Sequence, residues 1–138
     1  MTRLALLFLL LVLARPAIAA ELTIGVLELD DDVRYRDSRT FARHLAQPLG
    51  RPYAGAETAL GEVAFHGAGA GVSFALRRLR AADATALPAM VEAALADGIR
   101  FLLADMPADA LAGVVQVTAG REVLLFNVSA GEDRLSDP

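Results

Sequence analysis

The stretch TALPAMVEAALADGIRFLLAD, residues 85–105, decides the fold. Its first part sets Leu87, Met90, Val91, Ala94 and Leu95 at the three- and four-residue spacing of one helical face. Asp83 or Thr85 can cap the start, Pro88 is tolerated in a first turn, and Gly98 is a good terminator. IRFLLAD, residues 99–105, then reads as a strand.

The same alternation repeats on either side. ELTIGVLEL, 21–29, is a short β-rich run of the fully buried kind, stopped by Asp30, Asp31 and Asp32. Residues 33–52 are polar, Arg-rich and broken by Pro48, Gly50 and Pro52, which predicts a long loop or a short excursion. Residues 53–71 read as a helix, with Ala56, Leu60, Val63 and Ala64 on one face and glycines from Gly67 ending it. Residues 72–83 open as a strand, with Val72, Phe74 and Leu76 alternating against small or polar neighbours. Residues 107–120 run from Pro107 to Gly120 as a helix, against the β-branched composition of Val114 to Thr118. Within EVLLFNVS the apolar run Val123 to Phe126 predicts a buried strand that carries Asn127 and Ser129 at its end.

Strand, helix, strand, helix, strand, helix, strand is the order of an α/β domain. Helices between apolar strands imply right-handed crossovers, so the expectation is a parallel sheet of about four strands with helices on both faces. Such sheets hold ligands outside the carboxyl ends of their strands. Those ends are Asp30 to Asp32, Asp83, Asp105 to Pro107, and Asn127 to Ser129.

The 138-residue chain has room for one domain. Residues 1–20, MTRLALLFLLLVLARPAIAA, read as a signal peptide: Arg3, an apolar run from Leu4 to Ala14, then the small-x-small Ala17-Ile18-Ala19. The run has about half the length that crosses a bilayer, and Arg15 and Pro16 interrupt it. Residues 21–138 form the single lobe. Removing Arg3 and Arg15 leaves eleven arginines against seventeen acids, a net charge of about −6, and there is no lysine. An acidic exported protein is a poor partner for nucleic acid or anionic lipid. With no cysteine there is neither a disulfide framework nor thiol chemistry, and export without disulfides fits a bacterial periplasm at least as well as a eukaryotic secretory route.

No catalytic signature is present: GxSxG, HExxH, a Walker loop and a GxGxxG after the first strand are all missing. GAGAG, 67–71, ends a helix instead of opening one, so it reads as a turn. His44 and His66 have no partner at metal-ligand spacing. Asp30-Asp31-Asp32 could offer oxygens to a hard cation, but a solvated strand end explains it more simply. Acids after the first strand, Asp105 and Ser129 also resemble the set of a phosphorelay receiver. That arrangement needs a lysine on a fifth strand, and this chain has none. No metal or cofactor is expected, and no enzymatic activity.

The ordered set LTIGVLEL, YAGAETALGE, LRRLRAAD, ALADGIRFLLAD and EVLLFNVSA resembles the first lobe of type I periplasmic binding proteins, the branched-chain-amino-acid-like group that serves ABC transporters. RYRDSRTFARHLAQPLGRPYAGAETAL, DMPADAL and LLFNVSA look like the subgroup linked to pyrroloquinoline-quinone (PQQ)-dependent alcohol dehydrogenase systems. The resemblance implies a periplasmic, non-enzymatic solute-binding lobe. Its implied partners are a small-molecule ligand, ABC transporter membrane subunits and a PQQ-dependent dehydrogenase. Ligand groups are expected at Asp105, Asn127 and Ser129 first, and Asp30 second. For each of these, a strand-end cap is the competing reading.

Two departures from the family matter. Amino-acid binders carry a glycine and serines after the third strand, where this chain has Asp105-Met106-Pro107-Ala108. An acid there repels a ligand carboxylate, so a neutral, hydroxylated or cationic ligand fits more easily. The family also has two lobes, so the resemblance implies a truncated N-terminal lobe. A small periplasmic interaction lobe that docks a dehydrogenase or transporter partner is the rival reading.

Overall fold

The structure is a computed structural model and describes residues 20–35 and 50–131. The expected leader up to Ala19, His44, and the Arg-rich segment 36–49 lie outside the described residues.

The chain forms β1 (Ala20–Leu29), a single 3-10 turn (Val33–Tyr35), α1 (Pro52–Gly69), β2 (Val72–Ala81), α2 (Leu87–Ala96), β3 (Phe101–Asp105), α3 (Ala108–Thr118) and β4 (Leu124–Asn127). All strand pairs are parallel, in the order β2-β1-β3-β4. The expected α/β architecture, with helices on both faces of a four-stranded parallel sheet, is what the chain adopts. The chain steps from β1 to one side to form β2, then crosses back over β1 to β3. The order therefore reverses at β1 and β3, and a crevice at such a reversal is the ordinary ligand position of an open α/β sheet.

Period-two alternation gives the sheet two unlike faces. One face presents Leu27, Leu79 and Ala104 in register, with Leu102 and Leu125 on the next rung. It packs against Leu87, Val91, Ala94 and Leu95 of α2 and Leu111 and Val114 of α3, forming the main core. Leu27, Leu102, Val91 and Val114 are fully buried, each side chain contributing about 1.5–3 kcal/mol. Gly25 lies on this face, where a Cβ would come within 2.9 Å of both Leu102 Cδ2 and Leu79 Cδ1. The absence of a side chain there lets the neighbours close over β1.

The other face presents Glu28, Arg80 and Asp105 on one rung and Val26, Arg78, Leu103 and Phe126 on the rung below. Helix α1 lies against the β2 side of this face, where Gly67 seats the helix against Phe74 and the Val72 carbonyl. The stripe expected on α1 is only half used: Ala56 and Leu60 are part-buried, while Val63 and Ala64 are exposed. The β-branched run of α3 stays helical because Val114 is inserted in the core, and tertiary packing outweighs its weak propensity.

One expectation needs correction. The run Val123 to Phe126 is not a buried strand: β4 is the sheet edge, and Leu124 and Phe126 are half exposed. Only Val123 and Leu125 touch the core. Apolar composition predicted burial on both faces, but α1 sits at the far side of the sheet and leaves this part of its face uncovered.

Candidate functional site

The carboxyl ends of β1, β3 and β4 meet in one network of charges. Asp105 closes β3 and is fully buried. Its Oδ1 accepts hydrogen bonds from Tyr35 Oη at 2.8 Å, Ser129 Oγ at 2.6 Å and Arg34 Nη2 at 3.2 Å. Three donors on one oxygen are what a buried carboxylate needs to offset lost hydration.

The 3-10 turn exists to deliver two of those donors. Asp32 begins it, accepting the Arg34 backbone N–H at 2.9 Å, and then grips the same residue's guanidinium. Arg34 Nε donates to Asp32 Oδ1 and Oδ2 at 3.0 Å, and Nη2 to Oδ2 at 2.6 Å. Held this way, Arg34 reaches across to β4 and donates through Nη1 to Ser129 Oγ at 3.0 Å and Ser129 O at 3.1 Å. Burial pushes the Asp32 carboxyl up, but the hydrogen bonds and charge of Arg34, helped by Arg51, hold it below the usual carboxylate range. Burial and the bond to Asp105 push the Tyr35 phenol up to about 12.

Glu28 is the second buried acid, one rung-mate from Asp105 across β1 and β3. Its Oε2 accepts from Arg78 Nε of β2 at 2.7 Å. That bond raises the Arg78 pKa, although burial works against it. Arg78 in turn lies over the Tyr53 ring of α1 at 4.7 Å. Arg51, at the start of α1, donates from Nη2 to the Leu29 carbonyl at 2.8 Å and stacks on Tyr35 at 4.4 Å. Its Nη1 sits 3.9 Å from Asp105 Oδ2 and 4.0 Å from Glu28 Oε2.

Of the four residues expected to bind ligand, Asp105 and Ser129 come together directly. Asp30 is at the rim, exposed, and ion-paired with Arg80. Asn127 serves its own turn: Oδ1 accepts from Ala130 N at 2.8 Å and Ser129 N at 3.2 Å, and Nδ2 donates to Ala130 O at 2.7 Å. This turn aims Ser129 back at Asp105. Asp83 accepts from the Thr85 and Ala86 backbone N–H groups, capping the turn before α2.

Glu28, Arg34, Tyr35, Arg51 and Arg78 were not anticipated, and Asp32 was expected only as part of the acidic end of the first strand. One signal for them was present in the sequence. Glu28 is an acid inside an otherwise apolar strand, and Arg78 and Arg80 share a strand face at i and i+2. Reading them as partners requires the β1–β2 register, which the sequence does not state.

Among the described residues, no group of three or more metal-ligating side chains converges on a point. No described helix is long and apolar enough to cross a membrane. The clefts lined by Arg100, Arg121, Glu122 and Val123 and by Ala20, Leu22 and Gly98 open at the amino ends of the strands, away from this network. Protein-family models and curated proteins were both compared with the chain, and neither comparison finds a match.

Proposed function

We propose that the chain is a lobe of an exported solute-binding protein serving an ABC transporter in the periplasm, with a link to PQQ-dependent alcohol oxidation. The observation that carries this reading is the position of the Asp105 network. It stands at the carboxyl ends of β1 and β3, where the strand order reverses. The ordered resemblance to the first lobe of type I periplasmic binding proteins supports the same reading. The network works as a binding surface: Arg34 and Tyr35 are part-exposed and held in place by fully buried acids. Rigid, preorganised polar groups lower the ordering cost of binding. No catalytic role is proposed.

Fractionation of cells expressing the full chain, followed by a solute screen on the exported form, tests this. The expected result is a periplasmic product whose melting temperature rises saturably with a small solute. A cytoplasmic product, or one indifferent to every solute class, contradicts it. The rival reading, a lobe that docks a protein, is favoured by the exposed Leu124, Phe126 and Val128 along β4. Dimerisation or partner capture lost on Phe126→Lys, without any solute response, would establish that reading instead.

A further inference from the structure

The hydrogen-bonding capacity left unused at the carboxyl ends identifies a ligand class. Three buried polar atoms have no partner among the described residues: Glu28 Oε1, Arg51 Nη1 and Asp105 Oδ2. They come from three separate parts of the fold, β1, the entrance to α1 and the end of β3. The Arg51 Nη1 atom lies 3.9 Å from Asp105 Oδ2 and 4.0 Å from Glu28 Oε2, the oxygen of that carboxylate that already accepts from Arg78. These separations exceed direct hydrogen-bond distance, which ends at about 3.2 Å, and one small polar group set beside the Arg51–Asp105 pair can bond to both of its vacant atoms. Each unsatisfied buried group costs about 1–3 kcal/mol, more when charged, so a ligand that completes all three has that energy available.

We infer that this gap takes the hydroxyl groups of a small neutral polyol. The inference rests on the solute-binding reading above and specifies its ligand. The vacant positions are two acceptors and one donor. A carboxylate or phosphate brings acceptors only: it would suit Arg51 and meet Glu28 and Asp105 with like charge. An ammonium brings donors only and would face Arg51. Two adjacent hydroxyls give one donor to each carboxylate and a lone pair to Arg51.

The charge of the whole network agrees. Among the described residues its ion pairs join Glu28, Asp30, Asp32 and Asp105 to Arg34, Arg51, Arg78 and Arg80, four acids and four arginines. The formal charges of these described groups cancel, so they leave no net charge of their own to offset desolvating an ion. Of the three side chains Arg51 is the one that reaches solvent, 17% exposed, while both carboxylates are fully buried.

The test titrates the full exported chain with glycerol, erythritol and mannitol, and separately with sodium acetate and methylammonium chloride at matched ionic strength. Binding is followed through the arginine side-chain signals in nitrogen-15 spectra. The expected result is a saturable shift of the Arg51 signals with at least one polyol and with neither salt. Arg51→Lys, which keeps the charge and loses the fork, should weaken that binding about tenfold or more. Glu28→Gln, measured at the Arg51 signals, should weaken it also. Saturable binding of acetate or methylammonium instead overturns the polyol assignment and leaves the solute-binding reading standing. Polyol binding unchanged in both variants places the site elsewhere and overturns the inference. An ordered water detected beside Arg51, with no response to any polyol, also overturns it. Indifference to these probes and to an amino-acid panel overturns both readings.

Discussion

The two faces of the sheet are built from neighbouring residues and do opposite things. Leu27 and Glu28 are adjacent, both fully buried, and point to opposite sides. On the Leu27 side, α2 and α3 close a dry apolar core. On the Glu28 side the sheet carries two buried acids, their arginines, and a half-exposed apolar strip on β4. The difference teaches where each property resides. Apolar burial on the first face supplies the stability that lets the second tolerate buried charge, which at best breaks even as a stabilising device.

The largest effect that could break this comparison is a cavity in the core face. Leu102→Ala should cost about 2–5 kcal/mol in urea denaturation. A loss under about 1 kcal/mol would mean that the main core lies elsewhere. On the polar face, Asp105→Ala strands the donors of Tyr35, Ser129 and Arg34. It should cost about 2–3 kcal/mol, less than the cavity because Arg34 and Tyr35 can turn to water.

The Tyr35 phenol sharpens the comparison through pH. Its folded pKa is raised to about 12, above the ordinary value near about 10. The stability it contributes is therefore complete below about pH 10 and disappears as pH climbs towards 12. Screening at a part-exposed site limits that contribution to about 1 kcal/mol. Ultraviolet titration in a Tyr53→Phe background should show the late ionisation, and an ordinary midpoint would mean that Tyr35 does not hold Asp105. Ser129→Ala removes one of three bonds to the same oxygen and should cost about 1 kcal/mol. The smallest effect belongs to the uncovered strip: Phe126→Ser should change monomer stability by less than about 0.5 kcal/mol.

The alternation of apolar strands with patterned helices was enough to predict a parallel α/β sheet, because helix α2 and strand β3 sit side by side with unambiguous periods. Gly98 adopts φ +86 after α2, the left-handed turn its residue type implies. Asp105 and Ser129 were legible as strand-end residues for the same reason. Arg34, Tyr35 and Arg51 were not, since they lie at either side of a polar stretch of sequence with no hydrophobic period to place them. The roles of Arg34 and Tyr35 depend on contacts 95 and 70 positions away, and that of Arg51 on Leu29, Glu28 and Asp105, which only the assembled sheet brings together. The exposure of β4 was missed because its composition is that of a buried strand, and composition does not reveal which helices a face lacks.

The most direct test is a crystal structure of the exported chain grown with the best-binding polyol. The account predicts oxygen density within about 3.2 Å of Glu28 Oε1, Asp105 Oδ2 and Arg51 Nη1 together, with Asp105 Oδ1 still bound to Tyr35 and Ser129. A gap closed by Arg51 pairing directly with Asp105, with the polyol absent or bound elsewhere, would contradict it.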